Sequence, residues 1–158
     1  MHAPLIFAGP GVPKGKQCDA LCYLLDIYST LGELVGVRGP DGSEGKSLVP
    51  VMAGKQGGVR GSLFTAYRDL QRSVRDERWK LIVYPKVNKV QLFDLENDPY
   101  EIKDLAGEAK YVAEKDRMLV LLRKSQDESG DTQPLGTNRP EPLEFDFSKV
   151  KPKNDEKP

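Results

Sequence analysis

Trp79-Lys-Leu-Ile-Val-Tyr84 and Val90-Gln-Leu-Phe-Asp-Leu95, separated by Pro85-Lys-Val-Asn-Lys89, decide the fold. Both outer runs are short, rich in β-branched and aromatic residues, and the five-residue connection has the length and turn chemistry of a hairpin. Upstream, Leu63-Phe-Thr-Ala-Tyr67 and Gln71-Arg-Ser-Val-Arg75 carry the same strand-like spacing, so residues 62–95 predict a small four-stranded antiparallel meander. Downstream, Asp98-Pro99-Tyr100-Glu101 has an acid in the N-cap position, proline at the first helical position and glutamate three residues after the cap, which predicts a helical turn. Ala109, Val112, Ala113, Met118, Leu119, Leu121 and Leu122 then form an apolar stripe, predicting a longer helix that covers one face of the meander.

The amino-terminal part reads differently. Pro4-Leu-Ile-Phe-Ala8 is continuously apolar and closed by Gly9-Pro10-Gly11, which predicts a buried strand of a mostly parallel sheet. Ile27, Leu31, Leu34 and Val35 recur at helical spacing after Asp26, a capping residue, and Gly36 is placed to end that helix in the left-handed conformation. Residues 38–47 are loop chemistry, with Ser47 capping a short turn from Leu48 to Ala53. From Ser129 to Pro158 five residues are proline and charges dominate, so this tail is expected to lack the apolar area that offsets chain entropy, although Leu143, Phe145 and Phe147 alternate.

Composition removes several function classes. With 24 Lys plus Arg against 24 Asp plus Glu in 158 residues, there is no electrostatic footprint for nucleic acid. The longest apolar run falls far short of the ~20 residues of a membrane span, and no secretory signal is read at the amino terminus. Cys18 and Cys22 make no disulfide framework and, with one histidine, complete no four-ligand zinc site; four apart in a strand they lie about 13 Å from each other, so they are expected to be reduced and buried. His2 is the lone imidazole, and no Ser/His or Cys/His nucleophile pair can be assembled from it. No P-loop or dinucleotide glycine motif is present. Asp94, Glu96, Asp98, Glu101 and Asp104 lack the EF-hand pattern and read as caps and solvated acids. Arg60, Arg68, Arg72, Arg75 and Arg78 gather around the first three strands; they read as strand-face residues or partners of Asp69, Asp76 and Glu77, and Arg68, Arg72 and Arg78, if they share a face, are the candidates for gripping an anionic sugar or sulfate, Arg68 and Arg72 first.

Five stretches, in order, resemble the carboxy-terminal third of a type I, formylglycine-dependent sulfatase of the alkaline-phosphatase-like superfamily: His2-Ala-Pro-Leu-Ile-Phe-Ala-Gly-Pro-Gly-Val-Pro-Lys-Gly15, Leu25-Asp-Ile-Tyr-Ser-Thr-Leu31 through Gly36, Gly45-Lys-Ser-Leu-Val-Pro50, Val74-Arg-Asp-Glu-Arg-Trp-Lys-Leu-Ile82, and Leu92-Phe-Asp-Leu-Glu-Asn-Asp-Pro-Tyr-Glu101. Together they cover residues 2–105, with Ser29 standing where the family usually has proline, and the tail after Gly130 lies outside the match.

The resemblance implies an α/β parent enzyme, of which this chain, α+β by itself, keeps one strand and helix followed by the antiparallel sheet and its helix. Residues 1–58 are then a remnant of the sulfatase α/β domain, 59–128 the antiparallel subdomain with its helix, and 129–158 a disordered tail. It also implies that the formylglycine, the calcium ligands and the catalytic histidines belong to sequence upstream of Pro4, so no catalytic or metal residue and no cofactor is assigned to this chain. The complete parent would use calcium and formylglycine to hydrolyse a sulfate ester or sulfamate on a small molecule or glycan. It would be an exported, periplasmic or extracellular enzyme, with this region shaping the substrate cleft. His2, just before the strand, joins Arg68 and Arg72 as a candidate substrate contact. The rivals are a non-catalytic module that binds anionic glycans and a phosphoesterase of the same superfamily.

Overall fold

The computed structural model describes residues 4–37, 39 and 42–144. Helix α1 spans Leu25–Val35 and a single-turn helix, α2, spans Val49–Met52. Four strands follow, β1 Leu63–Tyr67, β2 Gln71–Arg75, β3 Trp79–Tyr84 and β4 Lys89–Asp94, and a long helix, α3, runs from Val112 to Ser129. The strands form an antiparallel sheet in the order β1-β2-β3-β4, the expected meander.

Register explains the core. Phe64 pairs with Val74, Val74 with Leu81 and Leu81 with Leu92, so one row of apolar side chains crosses the sheet on a single face. Val74, Leu81 and Leu92 are fully buried there beneath Met118 and Leu122 of α3, with Val83 and Leu105 completing the cluster. Each such side chain contributes about 1.5–3 kcal/mol by leaving water, and seven of them sit in this one cluster. The outer edge of β4 is covered rather than left open, because Leu105 N–H donates to the Leu92 carbonyl at 2.8 Å and the Asp104 carboxylate accepts Leu92 N–H at 3.1 Å.

The helix ends follow the glycines. Gly36 closes α1 at φ 72° and Gly130 closes α3 at φ 68°. At Gly45 the backbone of the 42–48 loop comes so close to α1 that a Cβ would lie 2.6 Å from the Leu25 carbonyl oxygen, so only glycine fits.

Several expectations are corrected. Pro4–Ala8 forms no sheet ladder, and Leu5 and Ile6 are 41% and 86% exposed, because no neighbouring strand is present among the described residues. Asp26 lies inside the first turn of α1 rather than before it; its carboxylate accepts the N–H of Tyr23, three residues back, at 2.7 Å. Asp98 starts no helix: Glu101 adopts φ 58°, which ends any helical path, and its carboxylate is held by Lys80 Nζ at 2.5 Å. The Asp98 carboxylate instead accepts Lys103 N–H at 2.8 Å across a turn. The N-cap of α2 is Leu48, with no side-chain capping bond, rather than Ser47, whose hydroxyl one residue earlier accepts Val49 N–H at 3.2 Å. Of the two cysteines, both free, Cys18 is exposed and Cys22 half-buried, since their segment forms no strand.

The tail is fixed further than its composition suggests. Asp131 to Glu141 runs back along the β3–β4 hairpin: Leu135 packs on the core, the Asn88 amide exchanges two hydrogen bonds with Thr137 at 2.7 and 2.8 Å, and Glu141 N–H donates to the Lys86 carbonyl at 2.8 Å. Phe145 and Phe147 lie outside the described residues.

Candidate functional site

Arg68 and Arg72 meet at the β1–β2 turn, and they do so in different roles. Arg72 lies two residues from Val74 on β2, so its side chain leaves the sheet on the core face, toward α3. There it is 5% exposed. Its Nε and Nη2 donate to Asp131 at 2.6 and 3.0 Å, a two-pronged pair, while Nη1 donates to the carbonyls of Arg68 at 2.5 Å and Gln71 at 3.0 Å. That guanidinium is a strut inside the domain. Its placement follows from α3: the left-handed Gly130 lets Asp131 N–H donate back to the Gln126 carbonyl at 2.9 Å, which turns the Asp131 carboxylate toward the sheet. Gln126 Nε2 donates to the same carboxylate at 2.9 Å. The Arg72 guanidinium, with Gln126 and the Gln133 N–H, outweighs desolvation and holds the Asp131 carboxyl down at about 2.

Arg68 is exposed in the turn itself, at φ 47°, with its guanidinium 5.7 Å above the Tyr67 ring. Its carbonyl is the atom Arg72 holds, so a buried ion pair fixes the backbone from which an exposed cation projects. Tyr67 and Leu70 flank it, 56% and 40% exposed. This turn therefore offers a charged group and an aromatic face together, the combination that grips an anionic sugar.

The other arginines of the group, Arg60, Arg75 and Arg78, bind separate partners. Arg78 forms a two-pronged pair with Asp94 at 2.7 and 3.0 Å, which holds that carboxyl at about 2, and Arg75 Nε donates to the Asp76 carbonyl at 3.3 Å. Arg60 grips Asp26 through Nε at 2.9 Å and Nη2 at 2.5 Å. Burial pushes the fully enclosed Asp26 carboxyl up, but Arg60 and the N–H groups of Lys46 and Tyr23 outweigh it and hold the group below the ordinary carboxylate range. Among the described residues no three His, Cys, Asp or Glu side chains gather as a metal site. An open depression of about 270 Å³ lies between Pro85, Lys86, Pro134 and Arg139. His2 lies outside the described residues.

Asp131, the residue that organises the turn, was hidden from sequence reasoning because it belongs to a segment whose proline and charge content signals disorder. The available signal was Gly130 immediately ahead of it, at the end of an apolar helical stripe.

Residues 1–128 match the family model described as N-sulphoglucosamine sulphohydrolase, C-terminal. A sulfatase of Formosa agariphila is 34% identical over 123 residues, covering 78% of this chain and 24% of its own length. Arylsulfatase K of Xenopus laevis is 29% identical over 134 residues, covering 75% and 25%. A solved 2-O GAG sulfatase superposes with a TM-score of 0.68 at 32% identity, over 80% of this chain and 30% of that one. The chain thus spans about a quarter of the length of the curated relatives it matches.

Proposed function

The chain belongs to the N-sulphoglucosamine sulphohydrolase C-terminal family of sulfatases, and from that premise we propose that in a complete enzyme it forms the cleft wall that holds a sulfated glycan. The reaction is hydrolysis of a sulfate ester or sulfamate. The nucleophile and the charge that stabilises the departing sulfate would come from the rest of the enzyme, a formylglycine and a calcium ion, as the resemblance implies. Such an enzyme works outside the cytoplasm, in the periplasm or beyond, where sulfated glycans are met.

The observation that carries the reading is the division of labour at the β1–β2 turn. Arg72 is buried and committed to Asp131, whereas Arg68 is exposed beside Tyr67 on a backbone that this pair holds still. A fixed turn presents its cation in one place, which lowers the ordering cost of binding an anionic ligand. The relative solved as a 2-O GAG sulfatase makes a sulfated glycosaminoglycan the first substrate to try.

The test joins this chain to the amino-terminal portion of the Formosa agariphila relative and compares Arg68→Ala with the parent form. The reading predicts a KM for a 2-O-sulfated disaccharide raised about tenfold, the order of one lost charge-assisted contact, with kcat and the turnover of a small aryl sulfate unchanged. An unchanged KM for the disaccharide would remove Arg68 from the cleft. Tight binding of the same disaccharide by this chain alone, together with no turnover by the joined form, would favour the non-catalytic glycan-binding module.

A further inference from the structure

Three cations from three separate segments meet at one end of the sheet. In the order β1-β2-β3-β4 the β1–β2 and β3–β4 turns leave the same end, two strand steps apart, so roughly 10 Å separates the turn of Arg68 from the turn of Lys86. Lys86 Nζ closes part of that gap by reaching Asp69, the neighbour of Arg68, at 2.7 Å. Lys86 also lines the open depression of about 270 Å³ that it shares with Gln133, Thr137 and Arg139. Arg68 and Arg139 are exposed, so a row Arg68, Lys86, Arg139 runs along the surface with the Tyr67 ring at its head.

The third cation of the row stands on a pinned backbone. Arg72 grips Asp131, the Asn88 amide exchanges two hydrogen bonds with Thr137, Arg139 N–H donates to the Thr137 hydroxyl at 3.1 Å, and Glu141 N–H donates to the Lys86 carbonyl at 2.8 Å. Pro134 and Pro140 stiffen the same stretch. A cation carried on such a backbone loses little freedom when it meets a ligand. Two acids border the row, Asp69 and Glu141. The Lys86–Asp69 pair is a surface pair, 38% and 52% exposed, and costs little to open. The ion pairs that reach these turns are Arg72–Asp131 and Lys86–Asp69, which leaves Arg68 and Arg139 without a carboxylate partner among the described residues.

The pattern selects a ligand with several separated anions. Cations that converge on one point grip a single sulfate; these are spread along an open surface, which suits a chain that carries an anion on each repeat. Tyr67 supplies a face for a sugar ring, and the Gln133 amide and Thr137 hydroxyl in the depression supply partners for sugar hydroxyls. The two turns stand apart by about the run of one disaccharide. The family match ends at residue 128, so Arg139 and the segment that carries it lie outside what the family supplies and are particular to this chain.

We propose that Lys86 and Arg139 form a second anion-binding subsite, which takes the sulfate or carboxylate of the next disaccharide when a sulfated glycan is gripped at Arg68, so that this chain binds a tetrasaccharide in preference to a disaccharide. The inference rests on the glycan reading of the β1–β2 turn and extends it to the length of the ligand.

The experiment titrates the purified full chain with a 2-O-sulfated disaccharide and with the tetrasaccharide that repeats it, at one low salt concentration. The tetrasaccharide should bind at least about tenfold more tightly. Arg139→Ala and Lys86→Ala should each remove most of that advantage and leave the disaccharide affinity and the urea midpoint unchanged, whereas Arg68→Ala weakens both sugars. Lys110→Ala, beside the Trp79–Tyr111 pair at the opposite end of the sheet, should change neither. Equal affinity for the two lengths, no measurable binding of the tetrasaccharide, or an unchanged tetrasaccharide affinity in Arg139→Ala overturns the proposal. So does an equal loss in Lys110→Ala, or equally tight binding of a single-stranded oligonucleotide of the same charge, because attraction of any polyanion would then suffice. The sulfatase reading is judged apart, in the joined enzyme. A KM that Arg68→Ala raises, without a length preference, refutes the subsite alone; a length preference that Arg139→Ala abolishes, with no turnover by the joined form, supports the subsite and counts against the sulfatase reading.

Discussion

Arg72 directs four hydrogen bonds at one carboxylate and two carbonyls, so the consequences of losing Asp131 are specific. Asp131→Asn should cost roughly 2 kcal/mol, the worth of a carboxyl pKa lowered from 3.8 to about 2. The sign follows from that lowering. The stabilisation is fully present above about pH 4, where the unfolded carboxyl is ionised, and is lost as pH falls toward 2. Urea midpoints measured between pH 6 and pH 2 should therefore converge for the parent and Asp131→Asn forms at the acid end. A constant gap across that range would show that the pair contributes nothing through its charge. Gly45→Ala tests a different residue. Its Cβ would meet the Leu25 carbonyl, so the 42–48 loop must move and release Lys46 N–H from Asp26. Proteolysis within residues 42–58 should accelerate in this variant, and equal cleavage rates would mean that the loop has room to spare.

Among the elements, the meander was legible because short runs rich in β-branched and aromatic residues, separated by turn chemistry, suit a sheet: Val74, Leu81 and Leu92 cross one face, and Ile82 and Phe93 are buried on the other. Helix α3 was legible through Met118 and Leu122, although Val112 and Ala113, counted in its stripe, face outward. The Asp98 turn was misread because its local signal is that of a helix start, while a partner distant in sequence, Lys80, holds Glu101 in the left-handed region. The Asp131–Glu141 segment was misread for the mirror-image reason. Its composition is that of a disordered tail, yet a few long-range bonds to Arg72, Asn88 and Lys86 fix it. Around the β1–β2 turn, sequence shows a concentration of arginines; that Arg72 is buried and Arg68 exposed depends on the sheet register and on Asp131, which sequence does not show. Met118→Ala and Leu122→Ala, each emptying a fully buried position, should each cost about 2–5 kcal/mol. Val120→Ala, at a position 66% exposed on the opposite side of the same helix, should change the midpoint little. Similar losses at all three positions would mean that α3 does not pack by this face.

At the scale of the whole molecule, stability is divided. The sheet and α3 close a core of their own, whereas residues 4–37 expose most of their large apolar side chains. Amide exchange at low protein concentration should be slow in β3 and β4 and fast in Pro4–Ala8, which has no ladder to protect it. Equal, strong protection of both regions in a demonstrated monomer would mean that Leu5, Ile6 and Phe7 have found a partner within the chain. The same division bears on the proposed function, in which this region forms a cleft wall of a sulfatase and the chemistry resides in the rest of the enzyme. The most direct measurement is aryl sulfate turnover by the purified chain, alone and joined to the amino-terminal portion of the Formosa agariphila relative. The account predicts a rate equal to the buffer blank for the chain alone and measurable turnover for the joined form. Turnover by the chain alone, proportional to its concentration and retained through repeated purification, would contradict it.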